Sequence, residues 1–304
     1  MGRVVNRLSS KLGRLALQSP LAVASGTFGT EYFDLFPQSV LGAYVSKTIT
    51  LLPKAGNPPP RLYETEAGLL NSIGLQNTGL IGFIEEELPR LRSILKIPLI
   101  VSFSGASIDE FCRILSVLEQ EQGISGYEVN VSCPNVENEG IAFGADPDIV
   151  FELTRKLAEL TEKELVVKLS PNVTDIAKIA RAAEAGGATT LSLINTLYGM
   201  AIDWNTGRSR ISQKVCGYSG MGIKPVALAL THKTAQAVKI PLLAMGGIHT
   251  WQDALEFFYA GAAAVSIGTA LYSDPLAAVN VYQGLEAFFA ERGLTLNGII
   301  GTVR

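Results

Sequence analysis

Cysteine and histidine are scarce in this chain of 304 residues. There are three cysteines, at positions 112, 133 and 216, and two histidines, His232 and His249. Three scattered thiols cannot form a disulfide framework, and two histidines leave too few ligands for a histidine-based zinc site. No apolar run approaches the ~20 residues needed to cross a bilayer. Residues Met1 to Leu12 carry Arg3, Arg7 and Lys11 and have no apolar core of signal-peptide length, and Asn6 stands where a myristoylation motif needs Ser or Thr. Charged residues make up only 17% of the chain, the net charge is −3 and no basic run stands out, which argues against nucleic acid as the main partner. A reduced cytoplasm, with no membrane association, is the expected setting.

Apolar residues are abundant. They form 47% of the chain, with a mean hydropathy of +0.27, a balance that favours a parallel sheet covered by helices. Short β-branched runs alternate with helical patterns throughout. Expected strands are Ala22–Phe28, Ala43–Thr48, Leu99–Ser104, Tyr127–Ser132, Leu165–Ser170, Thr190–Thr196, Leu242–Gly247 and Ala264–Thr269. Amphipathic stretches such as Phe83–Leu95, Asp109–Gln122, Pro147–Glu162, Thr174–Ala185, Pro225–Val238 and Trp251–Ala260 lie between them. Asp146-Pro147 and Lys224-Pro225 read as helix starts, and Gly186-Gly187 and Gly261 as helix stops. Eight strands with intervening helices and no flexible linker predict one α/β domain over residues 1–304, a single (β/α)8 TIM barrel with loops inserted at its C-terminal mouth. A doubly wound sheet with an appended domain is the structural alternative. Pro53–Leu80, with Pro58-Pro59-Pro60, reads as a long irregular decoration of the mouth.

In such a barrel the chemistry sits at the carboxyl ends of the strands. Those ends here carry Ser25-Gly26-Thr27, Ser46-Lys47-Thr48, Ser102 and Ser104, Asn130 and Cys133, Lys168 and Ser170, Asn195-Thr196, Gly246-Gly247 and Gly268-Thr269. The segment Asn130-Val131-Ser132-Cys133-Pro134-Asn135 follows the run Tyr127-Glu128-Val129 and lifts a thiol out of a sheet edge between two carboxamides. A thiol can serve as acid, base or nucleophile, and carboxamides can grip a polar planar ligand. A core cysteine ending a strand is the plainer alternative. Lys168 follows Leu165-Val166-Val167, so if that strand lies in the barrel its ammonium points inward and needs an anionic partner or a shifted pKa. The glycine turns at Gly246-Gly247 and Gly268-Thr269 follow the last two strands, where barrels commonly hold a phosphate. A phosphate-bearing cofactor beside an inward lysine suggests flavin mononucleotide (FMN).

These motifs resemble the dihydroorotate dehydrogenases, class 1, over nearly the whole chain. The resemblance rests on Asn71-Ser72-Ile73-Gly74-Leu75-Gln76-Asn77, the Asn130–Asn135 hexapeptide, Lys168-Leu169-Ser170-Pro171, Ile194-Asn195-Thr196 and Ser219-Gly220. It implies an FMN barrel that oxidises dihydroorotate to orotate in pyrimidine synthesis. The Gly-Leu-Gln-Asn form resembles the class 1B catalytic subunit, which works with an FAD and 2Fe–2S subunit and passes electrons to NAD. The apolar composition favours a dimer, so a homodimer or heterotetramer is the expected assembly. The resemblance implies that Cys133 is the base. Lys47, Asn71, Asn130, Asn135, Asn195 and Thr196, with backbone of Ile73, Gly74 and Leu75, are the implied orotate contacts. Ser25, Lys47, Thr48, Asn130, Lys168, Ile194, Gly220, Gly246, Gly247, Gly268 and Thr269 are the implied FMN contacts.

Three stretches depart from the family pattern. Ser102 stands where an asparagine is usual, Cys216-Gly217-Tyr218-Ser219-Gly220-Met221-Gly222 replaces Gly-Gly-Leu-Ser-Gly-Pro-Ala, and Val136–Gly140 lacks a glycine pair. A fumarate-linked enzyme, another pyrimidine-like substrate, a non-redox isomerase or aldolase using Lys168, and a non-catalytic binding barrel are the competing readings. Cys112 reads as core packing, and Arg208 and Arg210 as solvated or interfacial.

Overall fold

The computed structural model describes residues 6–131 and 143–304. Eight parallel strands form the barrel: β1 (Leu21–Val23), β2 (Tyr44–Val45), β3 (Leu99–Phe103), β4 (Gly126–Asn130), β5 (Glu164–Lys168), β6 (Thr190–Leu193), β7 (Leu242–Met245) and β8 (Ala264–Ile267). They pair in sequence order from β2 to β8, β8 pairs with β1, and a bridge between Ala22 and Ala43 closes the ring. The structure is thus the (β/α)8 barrel that the alternation of runs predicts.

Alternation along the strands sorts side chains into two layers. Val101, Phe103, Tyr127, Val129, Leu165, Val167, Leu191 and Leu193 join the main core with helix residues such as Phe111, Ile114, Leu153, Leu157 and Ile179. The intervening residues face the barrel interior. Its base is apolar: Ala22, Val45, Ile100, Val166, Leu243 and Ala264 pack with Leu12 and Leu17 of an N-terminal hairpin, Ser10–Leu12 and Leu15–Leu17. The next interior positions up are polar, and Ser102, Glu128, Lys168, Ser192 and Ser266 are all buried.

Glu164, fully buried at the start of β5, pins the hairpin to the base. Its carboxylate accepts the Arg14 backbone N–H and the hydroxyls of Thr189 and Thr190, each at 2.6 Å. Glu164→Ala strands the Arg14 N–H and the Thr190 hydroxyl, while Thr189 keeps the Leu165 carbonyl at 3.2 Å, so we expect it to destabilise the protein by about 3 kcal/mol in urea unfolding.

Helix boundaries follow their punctuation. Asp146 caps Pro147–Ala158, accepting the N–H groups of Asp148 and Ile149. Gly186 ends Ile176–Ala185, and Lys224–Ala235 carries its proline in the first turn. The expected strands run past the observed ends, because Ser25, Thr27, Lys47, Asn195 and Thr196 leave the ladder to line the mouth. Expectation for Pro53–Leu80 needs correction. Leu62–Thr65 and Gly68–Asn71 form a hairpin that joins Cys216–Ser219 and Leu197–Gly199 in a four-stranded antiparallel sheet. The pairing lies about 146 residues away, as in the hydrogen bond from Asn71 to Gly217, so local pattern could not reveal it. Among the described residues no helix is long and apolar enough to cross a membrane.

Candidate active site

Four residues of the polar layer, Ser102, Glu128, Lys168 and Ser192, form one connected network. Lys168, the last residue of β5, is 4% exposed. Its ammonium donates to Ser25 Oγ at 3.0 Å and lies 3.4 Å from Glu128 Oε1. Glu128, 1% exposed, also accepts the Ser102 hydroxyl at 3.0 Å and the Ser192 hydroxyl at 3.0 Å. Ser102 Oγ stands 2.9 Å from Thr48 Oγ1, which accepts a long 3.4 Å bond from Asn130 Nδ2. Glu128 is therefore the anionic partner that an inward lysine requires. It was hidden inside an apolar-looking run, yet its parity with Asn130, two residues on, marks it as facing the barrel interior. Ser102, where the family pattern has asparagine, spends its hydroxyl on this network.

Above the network opens a cavity of about 1010 Å³. Ser25, Lys47, Thr48, Asn71, Ile73, Gly74, Leu75, Asn130, Lys168, Ile194, Asn195, Thr196, Gly220, Gly246, Gly247, Gly268 and Thr269 all line it. Cys133 and Asn135, like Val136–Gly140, lie outside the described residues, and β4 ends at Asn130 three residues before the thiol. Cys216, in the loop whose sequence departs from the family pattern, also lines the cavity, as do His249, Ser266, Tyr272 and Asn172, to which the sequence alone assigns no role. Burial raises the Cys216 thiol above its usual range, and it donates to the Gly199 carbonyl at 3.4 Å, so it is no candidate base.

One wall comes from the added sheet. Asn71 leads into Gly74 (φ 72°) and Leu75 (φ 53°), a left-handed pair that costs a leucine strain. Asn77 holds this turn by donating to the Leu75 carbonyl at 2.7 Å. Asn172 braces the Leu197–Gly199 edge of the same sheet, donating to the Thr196 carbonyl at 3.0 Å and accepting the Tyr198 N–H at 3.1 Å.

The other end is a glycine cradle. Gly246 and Gly247 have φ of 128° and 80°, and a Cβ on either would come within 2.7 Å of the Cβ of Ala227 or Lys224. The turn is fixed by Asp253, whose carboxylate accepts the His249 N–H at 3.0 Å, the Thr250 N–H at 2.8 Å and the Lys224 ammonium at 2.6 Å. Burial opposes the Asp253 carboxylate, but these hydrogen bonds, Lys224 foremost, outweigh it and hold its pKa below the usual value. A depressed native pKa stabilises at neutral pH and is lost as pH falls through it. Asp253→Ala should thus cost about 1 kcal/mol at neutral pH, read as a lower melting temperature, and the difference should shrink in acid. Two buried polar atoms on cavity residues, Ser266 Oγ and His249 Nδ1, have no hydrogen-bond partner among the described residues.

The family model described as dihydroorotate dehydrogenase matches residues 7–289. The chain belongs to the dihydroorotate dehydrogenase family. Relatives named dihydroorotate dehydrogenase B (NAD(+)), catalytic subunit, align over nearly all of both chains. One from Thermoanaerobacter sp. (strain X514) is 45% identical over 300 residues, covering 98% of this chain and 99% of the relative. One from Geotalea uraniireducens is 46% identical over 289 residues, covering 94% of each. One from Geobacillus kaustophilus is 44% identical over 292 residues, covering 95% and 93%. This member of the dihydroorotate dehydrogenase family keeps its polar cavity where barrel enzymes place their chemistry. Among its described residues no group of three or more His, Cys, Asp or Glu could hold a metal ion.

Proposed function

We propose that the chain oxidises (S)-dihydroorotate to orotate in pyrimidine biosynthesis, with FMN as resident flavin and residues 1–304 forming one domain around it. The observation that carries this reading is the single cavity that gathers every described residue assigned to either ligand. The residues present fit FMN. The Gly246-Gly247 cradle has no room for side chains, and the unpartnered Ser266 hydroxyl and His249 nitrogen call for a polar occupant. When bound, FMN supplies the two-electron acceptor for the C6 hydride.

In this reading Cys133 removes the C5 proton as thiolate. A free thiol has a pKa near ~8.5, so a modest push is enough. Lys47 neutralises the substrate carboxylate, while Asn71, Asn130, Asn135, Asn195 and Thr196, with the backbone of Ile73, Gly74 and Leu75, meet the polar ring edges. Backbone N–H groups at Gly220, Gly246, Gly247, Gly268 and Thr269 would hold the cofactor's phosphate, and Ser25, Thr48 and Ile194 its remaining edges. Lys168 provides fixed positive charge at the pyrimidine end. Its attachment to Ser25 and Glu128 suits a fixed charge better than a nucleophilic amine. The relatives' name, catalytic subunit, supports a separate electron-transfer partner. In this reading that partner carries FAD and a 2Fe–2S cluster and delivers electrons to NAD, and the enzyme works in the cytoplasm as a homodimer or heterotetramer.

The purified protein should be yellow and release FMN on denaturation. A colourless protein that FMN cannot reconstitute would sink the proposal. Gly246→Val should lower FMN affinity at least 10-fold by fluorescence titration, since the branched side chain fills the cradle.

A further inference from the structure

Glu128 touches neither ligand in the proposed contacts, yet it is the one carboxylate within ion-pair reach of Lys168 among the described residues. Its other partners are neutral hydroxyls, from Ser102 on β3 and Ser192 on β6. Among the described residues, the other titratable side chains lining the cavity are Lys47, Lys54, His249, Tyr198, Tyr272 and Cys216, and none of them is a carboxylic acid able to replace it. Two buried charges hold each other in place, because either alone bears the full cost of leaving water.

We propose that Glu128 is a positioning residue that keeps the Lys168 ammonium charged in both oxidation states of the flavin. This rests on the FMN reading above. The substrate gives its C5 proton to the base and its C6 hydrogen as hydride. The flavin thereby gains two electrons and one proton and becomes an anion. With Lys168 already charged, no second proton is needed. In Glu128→Gln the ammonium loses its carboxylate, and an unpaired buried charge is relieved by giving up its proton. Flavin reduction then draws a second proton, from solvent, to restore the ammonium beside the new negative charge.

The test is the midpoint potential of the FMN-loaded protein, titrated electrochemically without substrate across the neutral to mildly alkaline range. Wild type should take up one proton per two electrons. Glu128→Gln should take up two, doubling the slope against pH, and Glu128→Asp should restore the wild-type slope. A purely structural role for Glu128 would leave the slope unchanged, and that result overturns the proposal. So does a wild-type slope of two protons per two electrons, a result that needs no variant to fold. A protein that holds no FMN overturns the preceding functional reading instead, whereas a yellow Glu128→Gln protein with the wild-type slope overturns only this role.

Discussion

Replacing Cys133 with alanine is expected to lower turnover of dihydroorotate roughly 100- to 10,000-fold, the usual worth of a positioned general base. The alanine variant should keep its yellow colour, because no FMN contact is assigned to the thiol. The loss should fall on kcat and kcat/KM together, since a base acts only in the transition state. Cys133→Ser should be equally impaired near neutral pH, because an unassisted hydroxyl is a far poorer base than a thiol. Stopped-flow reduction of the flavin by dihydroorotate is the direct measurement. If Cys133→Ala reduced at the wild-type rate, the base would have to be another group.

Lys168→Met should produce the largest loss of stability. It leaves Glu128 as a carboxylate 1% exposed, with only the Ser102 and Ser192 hydroxyls to answer it. Breaking a buried pair in this way costs roughly 3–5 kcal/mol. Urea unfolding of cofactor-stripped protein measures that cost free of any change in FMN binding. The double variant Lys168→Met, Glu128→Gln should recover most of it, because the remaining groups are neutral. Equal stability of Lys168→Met and wild type would show that the pair contributes nothing to the fold.

The barrel was legible in the sequence because each strand is buried on both faces. The outward residues Val101, Phe103, Val129 and Val167 meet helices, and the inward residues Ile100 and Val166 meet one another and the N-terminal hairpin. Continuous apolar runs result, and their polar tails point to the mouth. The strand ends were overextended for the same reason: Asn195 and Thr196 continue the run but serve the cavity. Three features could not be read locally. Glu128 shares the inward parity of Asn130, but the hydroxyl it stands opposite, that of Ser102, emerges only from the register of β3 with β4. The mouth sheet depends on Asn71 meeting Gly217. The ion pair of Lys224 with Asp253 joins two helices across a turn that neither predicts. Lys168 was the opposite case, since a lysine that ends an apolar strand announces its own need for a partner.

Anaerobic mixing of the FMN-loaded protein with dihydroorotate tests the central claim most directly. The account predicts that the yellow absorbance bleaches and one orotate forms per flavin, and that NAD restores the colour only when the FAD and iron–sulfur partner is added. Persistence of the oxidised flavin spectrum, with no orotate formed, would contradict it.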